Sequence, residues 1–256
     1  MTARSDLSDA EWQIIEPLLP NRPRGVARVD ERRVLNGMFQ ILRTGSPWRG
    51  LPARHGPWTT VCNRFNRWAK AGVWVSKFNA LAARSPEPMA FIGSSIIRAH
   101  QPAAGGSKAR TDHAIGRSRG GLSTRINAVV DETGLPVRVS ISPGQASDTA
   151  AAPALIVSLT RAAHVVAVRG EDAMALVDRI EARGALARIP TRRDRKVQRS
   201  VDRTIYRQRN LMERQVSNLK HVRRIATRFG KLAVTFLSAV ARASAGLWTR
   251  AHEATT

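Results

Sequence analysis

Tyr206, Arg209, Glu213 and Lys220 stand in the stretch YRQRNLMERQVSNLK with the spacing Y-x2-R-x3-E-x6-K. No Pro or Gly interrupts it, and its richness in good helix formers predicts a helix. At roughly 100° per residue the four side chains fall within an arc of about 60°, one narrow polar stripe. Leu211, Met212, Val216, Leu219 and Val222 lie largely on other faces, where they can bury the helix against a core. One carboxylate among bases suits a metal-and-phosphate site, with Glu213 on a divalent ion and Arg209 and Lys220 on phosphates. Taken alone, a solvated face with an i,i+4 pair from Arg209 to Glu213 is the simpler reading.

The stripe does not stand alone. DAEWQIIEPLLP (9–20), RRVLNGMFQILRTGSPWRGLP (32–52), GPWTTVCNRFNRWAKAGVW (56–74), SSIIRAH (94–100), AIGRSRGGLSTRINAVVDETGLPVR (114–138), GQASD (144–148) and ERQVSNLKHVRRIATRFGKLA (213–233) follow one another in order. Together with the Y-x2-R-x3-E-x6-K spacing, these blocks resemble bacterial insertion-sequence transposases of the DDE type along nearly the whole chain. The resemblance implies an α/β fold: a ribonuclease-H-like mixed sheet with flanking helices (90–250), preceded by a small all-α, helix-turn-helix-like domain (1–85). It also implies Mg²⁺-dependent cutting and joining of DNA, with two ions held by an Asp on the first core strand, an Asp after a later strand and the Glu of the stripe. The first Asp belongs in a segment similar to I-D-S-T-x-V-R-A-H, which here runs from Ile92 to His100; the second belongs in one similar to A-D-x-x-Y-D, here Ala167 to Asp172. Gly93 and Val168 occupy the two Asp positions, so Glu213 is the surviving carboxylate.

Mg²⁺ is small, hard and slow to shed water, and it needs anionic protein oxygens besides the substrate phosphates. Two-metal phosphodiester chemistry sets its ions about 3.5–4 Å apart. Glu213, with Arg209, Arg214 and Lys220 close in sequence, is expected to serve as a salt-bridge partner rather than a metal anchor, so neither metal nor other cofactor is expected here. Ser94, Glu171 and Asp172 are the nearby substitute ligands that an active enzyme would need. The expected behaviour is that of an inactive relative binding double-stranded DNA (element ends and target), alone, with a second copy or with an active transposase. A non-enzymatic basic nucleic-acid-binding protein derived from a transposase is the alternative.

A chain of 256 residues suffices for a real core. Its 42 Lys and Arg against 19 Asp and Glu, a net charge of +23, favour a polyanionic partner through counterion release. Arg predominates, which suits bidentate phosphate and guanine contacts, although high genomic GC content also inflates Arg. One cysteine, Cys62, excludes an intramolecular disulfide framework and a Cys-based zinc cluster. The six His show no metal-ligand spacing. No window approaches about 18 uncharged apolar residues, and MTARSDLSDAEWQ lacks an apolar secretory region, so a cytoplasmic, nucleoid-associated protein without membrane contact is expected.

The elements that must position these groups follow from pattern. Ser8 and Glu11 have capping-box spacing before a short helix ending near Leu19, and further helices are predicted at about 30–43, 59–70 and 74–83. In the third helix Asn63, Arg64 and Arg67 are placed opposite Phe65 and Trp68, toward a major groove. Arg84 to Pro88 marks a boundary. Strands are predicted at about 91–98, 123–131, 135–142, 164–168 and 186–189, with helices capped by Asp148 and Asp172 and closing helices at 203–226 and 231–248. Asn21 to Arg28 reads as a basic Pro/Gly loop, and Gly105 to Gly121, with Arg117 and Arg119, as a basic loop that orders on phosphates or simply meets solvent. Arg183 to Lys231 carries 16 Lys and Arg against 3 acidic residues, so Arg214, Arg223, Arg224 and Arg228 are expected to track a DNA backbone. Arg98 and His100, past the first core strand, match positions in the family block and are expected either to support the site from behind or to face DNA.

Overall fold

A computed structural model describes residues 6–20, 30–86, 88–104, 113–157, 159 and 162–253, without the side chains of Ala104, Asp148 and Glu253. The Asn21–Arg28 loop, residues 105–112 of the Gly105–Gly121 loop and the capping side chain expected of Asp148 lie outside what is described. Helices α1 (Asp9–Ile15), α2 (Glu31–Thr44), α3 (Trp58–Lys70) and α4 (Val73–Ala82) come first. Ser8 accepts from the Glu11 N–H while Glu11 reaches back to the Ser8 N–H, the reciprocal cap its spacing predicts. Gly45 ends α2 in the left-handed region at φ 75°, a conformation glycine adopts without a Cβ clash. Two 3₁₀ turns, Trp48–Gly50 and Ala53–His55, lead into α3. Trp48, Phe65, Trp74 and Trp68 then stack in series at centroid separations of 5.4–6.1 Å, the aromatic centre of this helical module.

Strand β1 (Met89–Ala99) is the spine of the core. It is followed by α5 (Gln101–Ala104), β2 (Gly116–Ser118), β3 (Gly121–Val130), β4 (Pro136–Pro143), α6 (Asp148–Val157), β5 (His164–Val166), α7 (Met174–Glu181) and β6 (Leu186–Arg188). The chain closes with α8 (Arg203–Arg207), α9 (Asn210–Lys220), α10 (Arg223–Ala226), β7 (Thr227–Arg228) and α11 (Ala233–Glu253). β1 pairs antiparallel with β3, β3 antiparallel with β4, β1 parallel with β5 and β5 parallel with β6, the ribonuclease-H-like order. Alternation decides the layers. Phe91, Ile97, Ile126 and Ala128 face α9 and α11 through Met212, Leu219, Phe236 and Val240. Ala90, Ile92 and Val129 face the other way, into a cluster holding Ile156, Leu176 and Ile180 that continues into the N-terminal helices.

The helix predicted over 203–226 is broken into α8, α9 and α10. Gln208 and Arg209 N–H groups bond to carbonyls three residues back, and Leu211 and Met212 do the same, a tightened 3₁₀ turn between α8 and α9. Burial of Ile205, Tyr206 and Leu211 around Phe91 and Val130 draws the chain tight there. After Lys220 the backbone extends at Val222, which lets Ile225 bury fully and β7 pair with β1. Asp172 does not cap α7; the N-cap is Ala173, with no side-chain bond. Instead Asp172 accepts from the Arg192 N–H at 2.8 Å and pairs with Arg199 and, at 3.7 Å, Arg195. Burial would push its carboxyl up, but the Arg192 N–H and Arg199 outweigh that and leave it below the usual carboxylate range.

Lys77, on α4, is 5% exposed; its ammonium lacks a hydrogen-bond partner and lies 5.8 Å from the Trp68 ring centroid. Burial lowers its pKa to about 8, against a smaller upward pull from Glu31. Between that value and 10.5 the unfolded chain binds more protons than the folded one, so stability rises with pH across this window; below it the whole penalty, about 3 kcal/mol, is present. Lys77→Met is therefore expected to raise the unfolding free energy at neutral pH by about 2–3 kcal/mol. The gain should shrink as pH climbs through the window, which urea titrations of both chains at several pH values measure. A gain that is constant with pH would show that Lys77 is not buried as a cation.

Candidate functional site

Residue 93 falls where β1 passes under α9. Phe91 and Gly93 share the α9 face, and a Cβ placed on Gly93 would come within 2.7 Å of Met212 Cγ. On the parallel neighbour, Phe91 pairs with Val166. Val168 lies two residues past the end of β5, still extended at φ −80° and ψ 162°, where it caps the 3₁₀ turn Arg169–Glu171. Glu213 follows Met212 and sits about 100° further round α9. Met212, the neighbour of Glu213 on α9, thus lies over Gly93, and Val168 follows the strand that pairs in parallel with β1.

What those positions hold is not a carboxylate cluster. Gly93 is covered by Met212, which is 4% exposed, and Val168 offers hydrocarbon. Glu213, its side chain 62% exposed, receives Arg209 Nη2 at 2.6 Å, and the Arg209 guanidinium lies 5.6 Å from the Tyr206 ring centroid. The i,i+4 pair that was the simpler reading of the stripe is what forms. Because of the helix break, Tyr206 belongs to α8 and Arg209 to the N-cap of α9, so only Glu213 and Lys220 share one helical stripe. The substitute ligands are engaged elsewhere: Ser94, on the opposite face, accepts from Arg125 Nη1 at 2.7 Å, Asp172 holds its arginines, and Glu171 is 1% exposed. Among the described residues no three His, Cys, Asp or Glu side chains form a metal-holding group.

The basic residues divide into two sets. Asn63, Arg67, Arg98, His100, Arg117, Arg119, Arg214, Lys220 and Arg223 are exposed. Strand register brings some of them together: Arg98 pairs with Ser123, beside Gly116 and Arg117, and with Thr227, and the His100 ring packs 5.3 Å from Phe229. Three others are not as expected. Arg64 is not opposite Trp68; it lies over that ring at 5.6 Å and pairs with Glu31 at 3.4 Å. Arg224 is half-buried, donating to the Ser46 carbonyl at 2.6 Å and lying 5.3 Å from the Trp48 ring centroid. Arg228 is fully buried, its donors engaged by carbonyls and Thr124, so it tracks no DNA backbone. In a run as basic as HVRRIATRFGK, no sequence signal separates a buried arginine from an exposed one. Met212 was legible only as core; nothing in its spacing marks it as the residue over position 93.

Two protein families match the chain. The "Transposase DDE domain" family matches residues 85–246, and a family described as a putative transposase of the IS4/5 family matches residues 7–77. The chain therefore belongs to the DDE transposases. Among similar proteins, a putative transposase for insertion sequence element IS6501 of Brucella ovis is 34% identical over 130 residues, 50% of this chain and 100% of the relative. An uncharacterized 16.2 kDa protein of insertion element IS402 from Burkholderia cepacia is 37% identical over 111 residues, 38% of this chain and 76% of its own length. An uncharacterized protein of Sinorhizobium fredii is 34% identical over 106 residues, 41% of this chain and 85% of its own. No solved structure matches the chain. No described helix is long and apolar enough to cross a membrane.

Proposed function

We propose that this chain is a transposase relative that binds the ends of its insertion sequence without cutting them. The observation carrying the reading is at Gly93, where the space for the first carboxylate is taken by Met212. The two Mg²⁺ ions that the resemblance implies do not fit the residues present: position 93 has no side chain, Val168 has no oxygen, and Glu213 is closed on Arg209. A single carboxylate facing a guanidinium lacks the charge to hold two dications.

The surface favours a polyanion. A net charge of +23 and the exposed Arg98, Arg117, Arg119, Arg214 and Arg223 support phosphate contacts, and exposed His100 beside Arg98 extends them. Exposed Asn63 and Arg67 support α3 as the groove-facing helix of a helix-turn-helix-like module, with Arg64 held back by Glu31. A nucleoid-associated location follows from such binding. Affinity for duplexes carrying the element ends should fall by about 0.9 log units per log unit of salt for each phosphate neutralised. Arg67→Ala should narrow the differences among sequences, and Arg223→Ala should weaken all sequences alike. Neither Mg²⁺ nor Mn²⁺ should elicit nicking. Salt-insensitive binding would remove the reading, and equal affinity for RNA and for every DNA sequence would favour the general nucleic-acid binder instead.

A further inference from the structure

Beyond β6 the chain folds back as a strap, residues 191–199, with five Lys and Arg against one acid, Asp194. Hydrophobic burial does not hold it: residues 192–198 are all exposed, and Val197, its one apolar residue, is 81% exposed. A buried carboxylate holds it instead. Asp172, its side chain wholly buried, accepts from the Arg192 N–H at 2.8 Å at one end of the strap. It pairs with Arg199 at the other end, and Arg195 lies 3.7 Å away. The Arg199 N–H donates to Thr191 Oγ1 at 2.8 Å, and Gln198 Nε2 donates to the Arg192 and Arg195 carbonyls at 3.1 and 2.7 Å. The strap is thus closed on one carboxylate. Arg192 is committed to Asp194 through two bonds, at 3.2 and 2.9 Å, whereas Arg193 and Lys196 are exposed and hold no ion pair among the described residues.

Place and charge together say what such a strap can meet. β6 runs parallel to β5, so the strap leaves the sheet at the carboxyl end of both strands, the end at which Val168 lies. Ligands of open parallel sheets bind outside that end. Like charges fixed in one loop are unfavourable in the free protein, and a row of phosphates offsets that. A loop ordered beforehand also loses less freedom on binding. We propose that Asp172 is a positioning residue for DNA: by fastening both ends of the strap, it presents Arg193 and Lys196 to backbone phosphates past the carboxyl ends of β5 and β6. This role rests on the DNA-binding reading above, and it adds a contact surface together with the buried acid that shapes it.

The sign of one substitution separates positioning from bulk charge. Asp172→Asn adds one positive unit to a net charge of +23, so charge alone makes it bind DNA more tightly. Positioning makes it bind more weakly, because Asn cannot hold Arg199 and the strap opens. Fluorescence anisotropy of the full chain on a duplex carrying an element end, over a salt series, reads the difference. Arg193→Gln with Lys196→Gln should lower the salt slope by about 1.8, two phosphates' worth, and weaken binding roughly thirtyfold at about 0.15 M salt. Asp172→Asn should weaken it by a similar factor, and adding the Arg193 and Lys196 changes to Asp172→Asn should cost little more. Gln198→Ala alters neither charge nor Asp172, and it too should weaken binding by loosening the strap; it carries the test if Asp172→Asn does not fold. Asp172→Asn binding as tightly as the parent, or more so, would overturn the proposal. So would an unchanged slope in the Arg193 and Lys196 variant, with the DNA-binding reading left intact. A parent chain that does not bind the duplex would remove that reading itself.

Discussion

Replacing Arg228 by Met is expected to lower the unfolding free energy by about 4 kcal/mol or more. The guanidinium is buried, and all five of its N–H donors are used. Nε donates to Gly230 O at 3.0 Å; Nη1 donates to Ala114 O at 3.1 Å and to Thr124 Oγ1 at 2.5 Å; Nη2 donates to His113 O at 2.6 Å and to Lys231 O at 2.9 Å. These bonds tie the segment before β2, the middle of the sheet and the approach to α11 at one point. They also hold Ala114 at φ 48°, a left-handed conformation that costs a non-glycine residue energy. Met matches the aliphatic stem but leaves several carbonyls dry, and each such loss costs about 1–3 kcal/mol, less than additively. Arg228→Lys keeps the charge but cannot reproduce the planar fork, so less than half of the loss should return. Urea unfolding of the three chains measures this. A Met variant within about 1 kcal/mol of the parent would show that these carbonyls find other partners.

Helices α1 to α4 and strands β1, β3 and β4 were legible because each is announced by local chemistry. The Ser8 and Glu11 box, Asp30 before α2, Gly45 after it and the Glu132–Thr133–Gly134 turn are short-range devices that a sequence displays directly. What was not legible depends on distant partners. Nothing local breaks YRQRNLMERQ; the turn between α8 and α9 forms because Tyr206 and Leu211 must both reach the Phe91 cluster. Asp172 reads as a helix cap from its neighbours, yet it is claimed by Arg199, a contact made only when the 190–199 loop folds back. Arg64, Arg224 and Arg228 read as DNA-facing because a run of charge does not say which members turn inward.

The candidate site shows the same division. Resemblance named Gly93, Val168 and Glu213; the fold sets Met212, next to Glu213 on α9, over Gly93, and Val168 just past β5, the parallel neighbour of β1. The site's contents were legible only as missing carboxylates. That Met212 fills the first vacancy is a packing fact, and it changes what restoring the site requires.

Gly93→Asp alone is expected to destabilise the fold by about 1–3 kcal/mol, because its Cβ would meet Met212 Cγ at 2.7 Å in a buried position. Paired with Met212→Val, much of that cost should vanish, and a double-mutant cycle should report the coupling. Neither Gly93→Asp nor Val168→Asp should yield nicking, because half a site still lacks the charge for two ions. The chain carrying Gly93→Asp, Val168→Asp and Met212→Val together should bind Mg²⁺ and nick a DNA end. The expected gain over each single variant is about a thousandfold or more, the equivalent of roughly 4 kcal/mol of transition-state stabilisation. Glu213→Gln in that background should return the rate to baseline, since residues of one metal site act as a unit. Glu213 must then exchange Arg209 for a cation, so Arg209→Gln should tighten Mg²⁺ binding in the repaired chain, a shift that calorimetry reads independently of cleavage. If the repaired chain folds but binds no Mg²⁺, Gly93 and Val168 are not the lost ligands. If the unaltered chain already nicks DNA in a Glu213-dependent way, the inactive reading falls, and Met212 must be able to leave Gly93 on its own.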